Sequence, residues 1–101
     1  MRYELLKTDT KQFAGRTLYR IRALIAFGFS VAESNLGGYI ESEKNLSQVG
    51  NSWVSGDAQV YGDARVSGDA QVYGDARVYG DARVSGNARV YGDARVSLKK
   101  A

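Results

Sequence analysis

Residues 56–97 read GDAQVY-GDARVS-GDAQVY-GDARVY-GDARVS-GNARVY-GDARVS, seven hexapeptides that follow one another without a gap. Each copy has Gly at its first position, Ala at its third and Val at its fifth. Small apolar residues therefore alternate with Arg or Gln and with Tyr or Ser, which is the period of a β-strand. The Gly-Asp pair suits a corner, because Gly adopts positive φ without strain and Asp can bond its own backbone. The period predicts a solenoid of short strands joined by tight corners.

The predicted interior contains only small side chains. In this strand phase the Ala and Val of each copy point inward, and the other two strand residues point outward. The inward set is Val54, Val60, Val66, Val72, Val78, Val84, Val90, Val96, Ala58, Ala64, Ala70, Ala76, Ala82, Ala88 and Ala94. Such side chains fill a narrow interior, in which successive coils stack about 4.8 Å apart through backbone hydrogen bonds.

The pattern aliphatic-x-x-x-small-x, as in residues 60–65 (VYGDAR), resembles the hexapeptide repeat of left-handed parallel β-helices. This resemblance implies an all-β fold, a short, left-handed, triangular parallel β-helix with three hexapeptides in each coil. A flattened solenoid with two hexapeptides per coil is the alternative. The alternation of Tyr and Ser in the first four copies slightly favours that alternative, but Tyr73 followed by Tyr79 breaks the alternation.

The first 35 residues predict a capping hairpin. Residues 3–8 and 16–27 alternate as strands do, and residues 9–15 form the expected turn between them. One side of the second strand would carry Thr17, Tyr19, Ile21, Ala23, Ile25 and Phe27. A helix over residues 17–27 is the alternative, since several of its apolar side chains also share a helical face.

Residues 36–55 predict an irregular coil that leads into the regular β-helix of residues 56–98 and a basic tail at 99–101. A two-residue insertion separates Leu46 from Val54, which are eight residues apart. Trp53 takes an outward position, so we expect the amino-terminal segment to cover it. The segments LYRIRAL, LGGYIE, NLS and WV between residues 18 and 54 are similar to the opening of hexapeptide-repeat proteins of phages and prophages. They also resemble the YdcK family, an uncharacterised bacterial family counted among the acetyltransferases.

The composition excludes several kinds of chemistry. The 101 residues include no Cys and no His, which excludes thiol nucleophiles and imidazole bases. Hexapeptide acetyltransferases generally use a His to deprotonate the acceptor, so the base is missing here. The corner carboxylates of Asp57, Asp75 and Asp93 could align, but a six-residue period is not that of a calcium-binding repeat. We therefore predict no enzymatic activity, no cofactor and no metal; an acyltransferase-related protein with little activity is the alternative.

The net charge of +3 does not come from the repeats, because residues 56–97 contain five Arg and six Asp. This balance disfavours nucleic acid and favours a protein as the partner. Tyr and Arg are enriched in interface hot spots, so the repeats supply the expected binding residues. They are Tyr61, Tyr73, Tyr79, Tyr91, Arg65, Arg77, Arg83, Arg89 and Arg95. In the simpler interpretation, each Arg pairs with a neighbouring Asp and each Tyr packs on its stacked copy.

These features predict an interaction protein of the cytoplasm. The partner would be a host protein or nucleoprotein complex. One concrete form is a phage-encoded inhibitor of host defence, such as an anti-CRISPR. Nucleic-acid binding and a structural role in the virion are the alternatives. Val96 and Leu98 of the last coil would pair with a second copy, giving a homo-oligomer and first of all a dimer. The sequence shows no secretory signal and no apolar run that could span a bilayer.

Overall fold

The computed structural model describes residues 2–13, 15–27 and 31–98, which form strands, corners and one short 3-10 helix. The elements are β1 (Tyr3–Phe13), β2 (Arg16–Ala23), β3 (Leu36–Ile40), the 3-10 helix (Glu43–Asn45), β4 (Trp53–Val54), β5 (Gln59–Val60), β6 (Arg65–Val66), β7 (Gln71–Val72), β8 (Arg77–Gly80), β9 (Arg83–Val84), β10 (Arg89–Val90) and β11 (Arg95–Leu98). The Leu98 side chain and the predicted basic tail, 99–101, lie outside the described residues. Within the described ranges, no helix is long and apolar enough to cross a bilayer.

Strands of successive coils pair in parallel every 18 residues, so each coil contains three hexapeptides. The register joins Gln59 to Arg77 and Arg77 to Arg95. Face 1 contains β3, β5, β8 and β11; face 2 contains β6 and β9; face 3 contains β4, β7 and β10. The chain is an all-β parallel solenoid of about three turns. This register confirms the three-hexapeptide coil, and the flattened alternative is wrong.

Each regular corner is built on a glycine with positive φ. The seven corner glycines of the repeats have φ between 64° and 72°, a region that other residues enter only at a cost. Stacking adds a second constraint, since a Cβ placed on Gly68 would lie 2.9 Å from the backbone nitrogen of Gly86. Backbone hydrogen bonds continue through the corners, as from the Asp57 N–H to the Gly74 carbonyl at 3.0 Å.

The inward column is buried as predicted, and its burial decreases toward the last coil. The fully or almost fully buried valines are Val54, Val60, Val66, Val72 and Val78. Val84 and Val90 are 4% and 9% exposed, and Val96 is half-buried. Ala88 and Ala94 face the same interior but are exposed, because no coil in the described part of the chain stacks on theirs.

The amino-terminal strands form the predicted hairpin, and the helix alternative over residues 17–27 is wrong. β1 pairs antiparallel with β2, and β2 pairs antiparallel with β3, so the hairpin extends the sheet of face 1. The predicted turn over residues 9–15 is too long. β1 continues to Phe13, and Gly15 (φ 76°) lies in the turn. A register shift between Leu6 and Thr10 absorbs the residues that the prediction assigned to the turn.

The alternation predicted for residues 17–27 holds within β2, but β2 ends at Ala23, so the prediction that the strand reaches residue 27 is wrong. Ile21 and Ala23 lie on the predicted side and join the main core of the solenoid. Leu18 lies on the opposite side, where it packs with tyrosines on the outside of the solenoid, so both sides of β2 carry a fully buried residue. The pairing of β2 with β3 shifts register between Arg20 and Arg22.

The two-residue insertion of the lead-in coil holds the amino terminus. Leu46 pairs with a strand residue 20 positions further on, whereas Gly50 stacks on the glycine 18 positions further on. The insertion therefore lies between these two residues. Within it, Gln48 Oε1 accepts a hydrogen bond from the Arg2 backbone N–H at 2.8 Å. The buried Arg2 guanidinium donates to the Ser52 carbonyl at 2.8 Å, and burial lowers the pKa of this guanidinium.

The single tryptophan is covered by the amino-terminal segment, as predicted. Trp53 is 4% exposed. Its ring lies 6.4 Å from the ring of Tyr3 and 5.2 Å from the ring of Phe27, both in edge contacts. Gly37 allows this approach, because a Cβ at Gly37 would lie 2.5 Å from the Val54 carbonyl oxygen and 2.8 Å from the Trp53 ring.

Candidate functional site

The hairpin covers the first part of face 1. Gln59 and Tyr61 occupy outward positions but are only 4% and 9% exposed. The Phe13 ring lies 5.6 Å from the Tyr61 ring, and the Arg77 guanidinium lies 4.3 Å from the centre of the Phe13 ring. Burial raises the pKa of Tyr61, an effect that the charge of Arg77 opposes. Tyr61 and Arg77 thus take part in packing the hairpin onto the solenoid.

Glutamine replaces arginine at covered outward positions. The fourth residue of the hexapeptide is Gln at 59 and 71 and Arg in the other five copies. Gln59 is buried, and Gln71 is half-buried with its Nε2 donating to the Asn51 carbonyl at 3.2 Å. A guanidinium buried without a partner would cost several kcal/mol. At residue 59 the exchange of Arg for Gln thus coincides with the surface that the hairpin covers, whereas Gln71 lies on face 3 and is only half-buried.

The tyrosines of the repeats stack in two pairs, as the simpler interpretation predicts. Tyr61 and Tyr79 lie 5.3 Å apart with nearly parallel rings (6°) on face 1. Tyr73 and Tyr91 lie 5.4 Å apart at 12° on face 3. Tyr91 is 59% exposed, so the second pair presents an aromatic surface to solvent.

The arginines of the repeats do not form the ion pairs that the simpler interpretation expects. In the described part of the chain, the ion pairs involve Arg16, Arg20, Arg22 and Lys44. No repeat arginine among the described residues takes part in an ion pair or donates a side-chain hydrogen bond. Arg65, Arg83, Arg89 and Arg95 are exposed. Their guanidinium groups are thus available to an external anion.

Face 2 carries a half-open groove of about 500 Å³. Its floor is formed by β6 and β9, whose outward side chains are Arg65 and Arg83, followed by Ser67 and Ser85. One wall is the 3-10 helix, continued by residues 46–48. The register pairs Arg65 with Arg83, so their Cα atoms lie on adjacent strands, about 4.8 Å apart.

The corner between faces 2 and 3 is poor in carboxylates. Its second residue is Asn51, Asp69 and Asn87 in successive coils, whereas the other two corners have Asp in every regular coil. In the last coil, the outward side chains from residue 83 to residue 91 contain no carboxylate and are all exposed. We call this set the distal surface: Arg83, Ser85, Asn87, Arg89 and Tyr91.

The nine predicted binding residues do not share one face. Face 1 holds Tyr61, Tyr79, Arg77 and Arg95; face 2 holds Arg65 and Arg83; face 3 holds Tyr73, Tyr91 and Arg89. The structure brings Arg83, Arg89 and Tyr91 together across the carboxylate-poor corner. The structure places three further polar residues near them, Asn87, Ser67 and Ser85, which were not among the nine predicted residues. The change from Asp to Asn at residue 87 is the sequence feature that could have identified this corner.

Other buried polar contacts attach the hairpin. The Arg20 guanidinium donates to the Tyr39 hydroxyl at 2.7 Å and contacts the Asp9 carboxylate at 3.0 Å. Burial alone would lower the pKa of the Arg20 guanidinium. The hydrogen bond with Tyr39 and the charge of Asp9 outweigh burial, so the pKa of Arg20 lies above its ordinary value. The Tyr3 hydroxyl donates to the carbonyls of Glu43 and Leu46, and burial raises the pKa of Tyr3 well above its ordinary value. The described ranges contain no group of three or more carboxylates that could hold a metal ion.

The stacked coils, their glycine corners and their narrow valine core define a β-solenoid repeat protein. Residues 58–74, 70–86 and 82–98 each match the family model described as the YdcK beta solenoid repeat. The matches begin 12 residues apart, which is two hexapeptides. The repeats are thus YdcK-like; the matches lie outside residues 18–54, which contain the segments that carry the YdcK resemblance in the sequence. No curated protein matches the chain.

Proposed function

We propose that this protein is a non-enzymatic binding module that recognises an acidic surface of a protein partner through the distal surface. The observation that carries the proposal is the exposed run from Arg83 to Tyr91, which has two unpaired guanidinium groups and no carboxylate. Arg binds carboxylates through a planar fork of donors, and Tyr supplies rigid contact area. Because backbone hydrogen bonds to neighbouring coils order this surface before binding, less entropy is lost on association.

The absence of His from the sequence supports a binding role over acyl transfer. Burial raises the pKa of Tyr3 strongly, and local partners raise that of Arg20; both groups attach the hairpin, where packing and local hydrogen bonds account for the shifts. We propose the finer form from the resemblance to phage and prophage proteins. In this form the chain is phage-encoded, acts in the host cytoplasm and inhibits a host defence machine such as a CRISPR complex.

Affinity capture from host lysate, followed by calorimetry with the purified partner, tests the binding role. Arg89→Gln combined with Tyr91→Ala should weaken binding at least tenfold, or about 1.4 kcal/mol. Arg95→Gln is the matched control, because Arg95 is exposed at the same hexapeptide position but lies on face 1. Equal losses of affinity in the two variants, or no loss in either, would refute the proposal that the partner binds through the distal surface. A complex formed with nucleic acid alone, and weakened by salt, would favour the nucleic-acid alternative.

We also propose that the last coil pairs with a second copy. In the described part of the chain, no strand pairs with the outer edges of β9, β10 and β11, and Val96 is only half-buried. Unpaired strand edges readily pair with another chain. Light scattering should give the mass of a dimer, and Val96→Lys should convert it to a monomer. A monomeric mass for the unmodified chain at working concentration would exclude this assembly.

A further inference from the structure

We propose that the groove on face 2 binds a phosphate monoester carried by a side chain of the protein partner. The guanidinium groups of Arg65 and Arg83 would hold the phosphate. This inference rests on the proposed function, because it names the chemistry of the partner next to the distal surface. Arg83 belongs to both regions, so the groove opens beside the surface that would contact the rest of the partner.

The floor of the groove is a two-by-two array of donors. Arg65 and Arg83 are paired in register on adjacent strands, and Ser67 and Ser85 follow each of them by two residues. Strand geometry places the two rows about 6.6 Å apart and the two strands about 4.8 Å apart. None of these four side chains has a hydrogen-bond partner in the described part of the chain. Two positive charges and two hydroxyl groups therefore line one small volume, and none of the four groups is engaged by a neighbouring side chain.

The wall of the groove leaves that positive charge largely uncompensated. Lys44 is engaged by the Asp63 carboxylate at 2.7 Å, so this pair contributes little net charge. Glu43 is the one acidic side chain among the residues that line the groove, and its Oε1 lies 3.5 Å from Gln48 Nε2. The residues that line the groove thus carry a net positive charge, and neither Arg65 nor Arg83 forms an ion pair with a described carboxylate.

A phosphate monoester fits this array better than a carboxylate. It carries a charge of about −1.5 to −2 and three strong acceptor oxygens. Two adjacent guanidinium groups repel each other, and a dianion between them would replace that repulsion with charge-assisted hydrogen bonds. A carboxylate has a single charge and two oxygens, so it would leave one arginine unpaired.

The surroundings disfavour a nucleic-acid backbone. The groove extends over the two strands β6 and β9 only, and the corners beside it carry Asp81 on one side and Asp69 on the other. These carboxylates would repel the phosphates on either side of a bound one. A single terminal phosphate avoids this repulsion.

Calorimetry on the 101-residue chain tests the inference with four probes. They are a phosphoserine hexapeptide, its Glu counterpart, inorganic phosphate and a single-stranded oligonucleotide. The phosphopeptide should bind at least tenfold more tightly than the Glu peptide and the oligonucleotide. Inorganic phosphate should compete with it, which shows that the phosphate group itself is recognised. A Glu peptide that binds equally well, or tighter binding of the oligonucleotide, would overturn the inference.

Variants locate the site and separate this inference from the proposed function. Arg65→Gln with Arg83→Gln should weaken phosphopeptide binding at least tenfold, whereas the control Arg95→Gln should change it less than twofold. Equal effects would indicate non-specific charge and overturn the inference. If the unmodified chain captures its partner through Arg89 and Tyr91 but does not bind the phosphopeptide, the phosphate site alone is refuted. If the unmodified chain binds the phosphopeptide but captures no partner, the distal surface alone is refuted.

Discussion

Replacing Gln59 by Arg restores the commoner hexapeptide residue and should nevertheless destabilise the protein. Gln59 is 4% exposed beneath the hairpin, and its side-chain Oε1 has no hydrogen-bond partner. An arginine at this position would bring a positive charge into that buried space. Arg77 is paired with residue 59 in register on the adjacent strand, so two guanidinium groups would leave neighbouring backbone positions.

The expected loss follows from repulsion and desolvation. Two positive charges one strand spacing apart, about 4.8 Å, repel by about 3.5 kcal/mol at an effective dielectric constant of about 20. Burial of the guanidinium adds a penalty of several kcal/mol, which the long side chain reduces by extending toward water. We expect a net loss of about 2–4 kcal/mol in the free energy of unfolding. For a domain of this size, the melting temperature should fall by about 10–30 °C.

Gln71→Arg is the matched control, because residue 71 has the same hexapeptide position on face 3 and is half-buried. A guanidinium there can still donate to the Asn51 carbonyl, so we expect a loss below about 1 kcal/mol. Urea denaturation followed by circular dichroism measures both variants. Equal losses in the two variants would refute the idea that hairpin cover, and not the repeat position itself, selects Gln at residue 59.

Three further predictions concern stability. Trp53→Ala should cost about 3–5 kcal/mol, measured by urea denaturation, because Trp53 is buried against the amino-terminal segment. Gly68→Ala should destabilise more than Gly86→Ala in the same assay: both have positive φ, but only at Gly68 does the added Cβ meet the next coil. Stability should also fall above about pH 10. Burial raises the pKa of Tyr3 and Tyr61, so the unfolded chain releases these protons first. Tyr3→Phe should make the decline in the urea midpoint between about pH 10 and 11 shallower.

The repeat allowed much of the fold to be predicted, because the same contacts recur in every coil. The inward Val and Ala positions, the 18-residue coil and the glycine corners each depend on residues that return at one spacing. The cover over Trp53 was predictable for a different reason, since a large apolar side chain on an outward row requires burial. The bulge after Leu6 and the register shift near Arg20 were not predictable. They depend on pairing between segments that share no period.

The candidate site could be predicted only in part for the same physical reason. Composition selects Tyr and Arg as binding residues, but it does not show which of them the hairpin covers. Tyr61 and Arg77 contact Phe13, whereas Arg89 and Tyr91 stay exposed. That difference arises from where the hairpin lies across the coils, and a periodic pattern contains no information about it.

In a protein this regular, departures from the repeat are the positions where something other than coil stacking selects the residue. Gln59 departs from the repeat at the surface that the hairpin buries. Gly37 departs from it where the Trp53 ring approaches the backbone, and Gln48 departs from it where it binds the amino terminus. Each of these three departures has a partner within the chain.

Asn87 departs in the same way, but it is exposed and no side-chain hydrogen bond of the described residues involves it. Stacking does not require the change, because Asp occupies the equivalent corner position in six of the seven repeats. Its effect is to remove the carboxylate between Arg83 and Arg89. The other three departures are each explained by a contact, so we infer that Asn87 is explained by contact with an external acidic partner. Asn87→Asp should therefore weaken partner binding without lowering the free energy of unfolding.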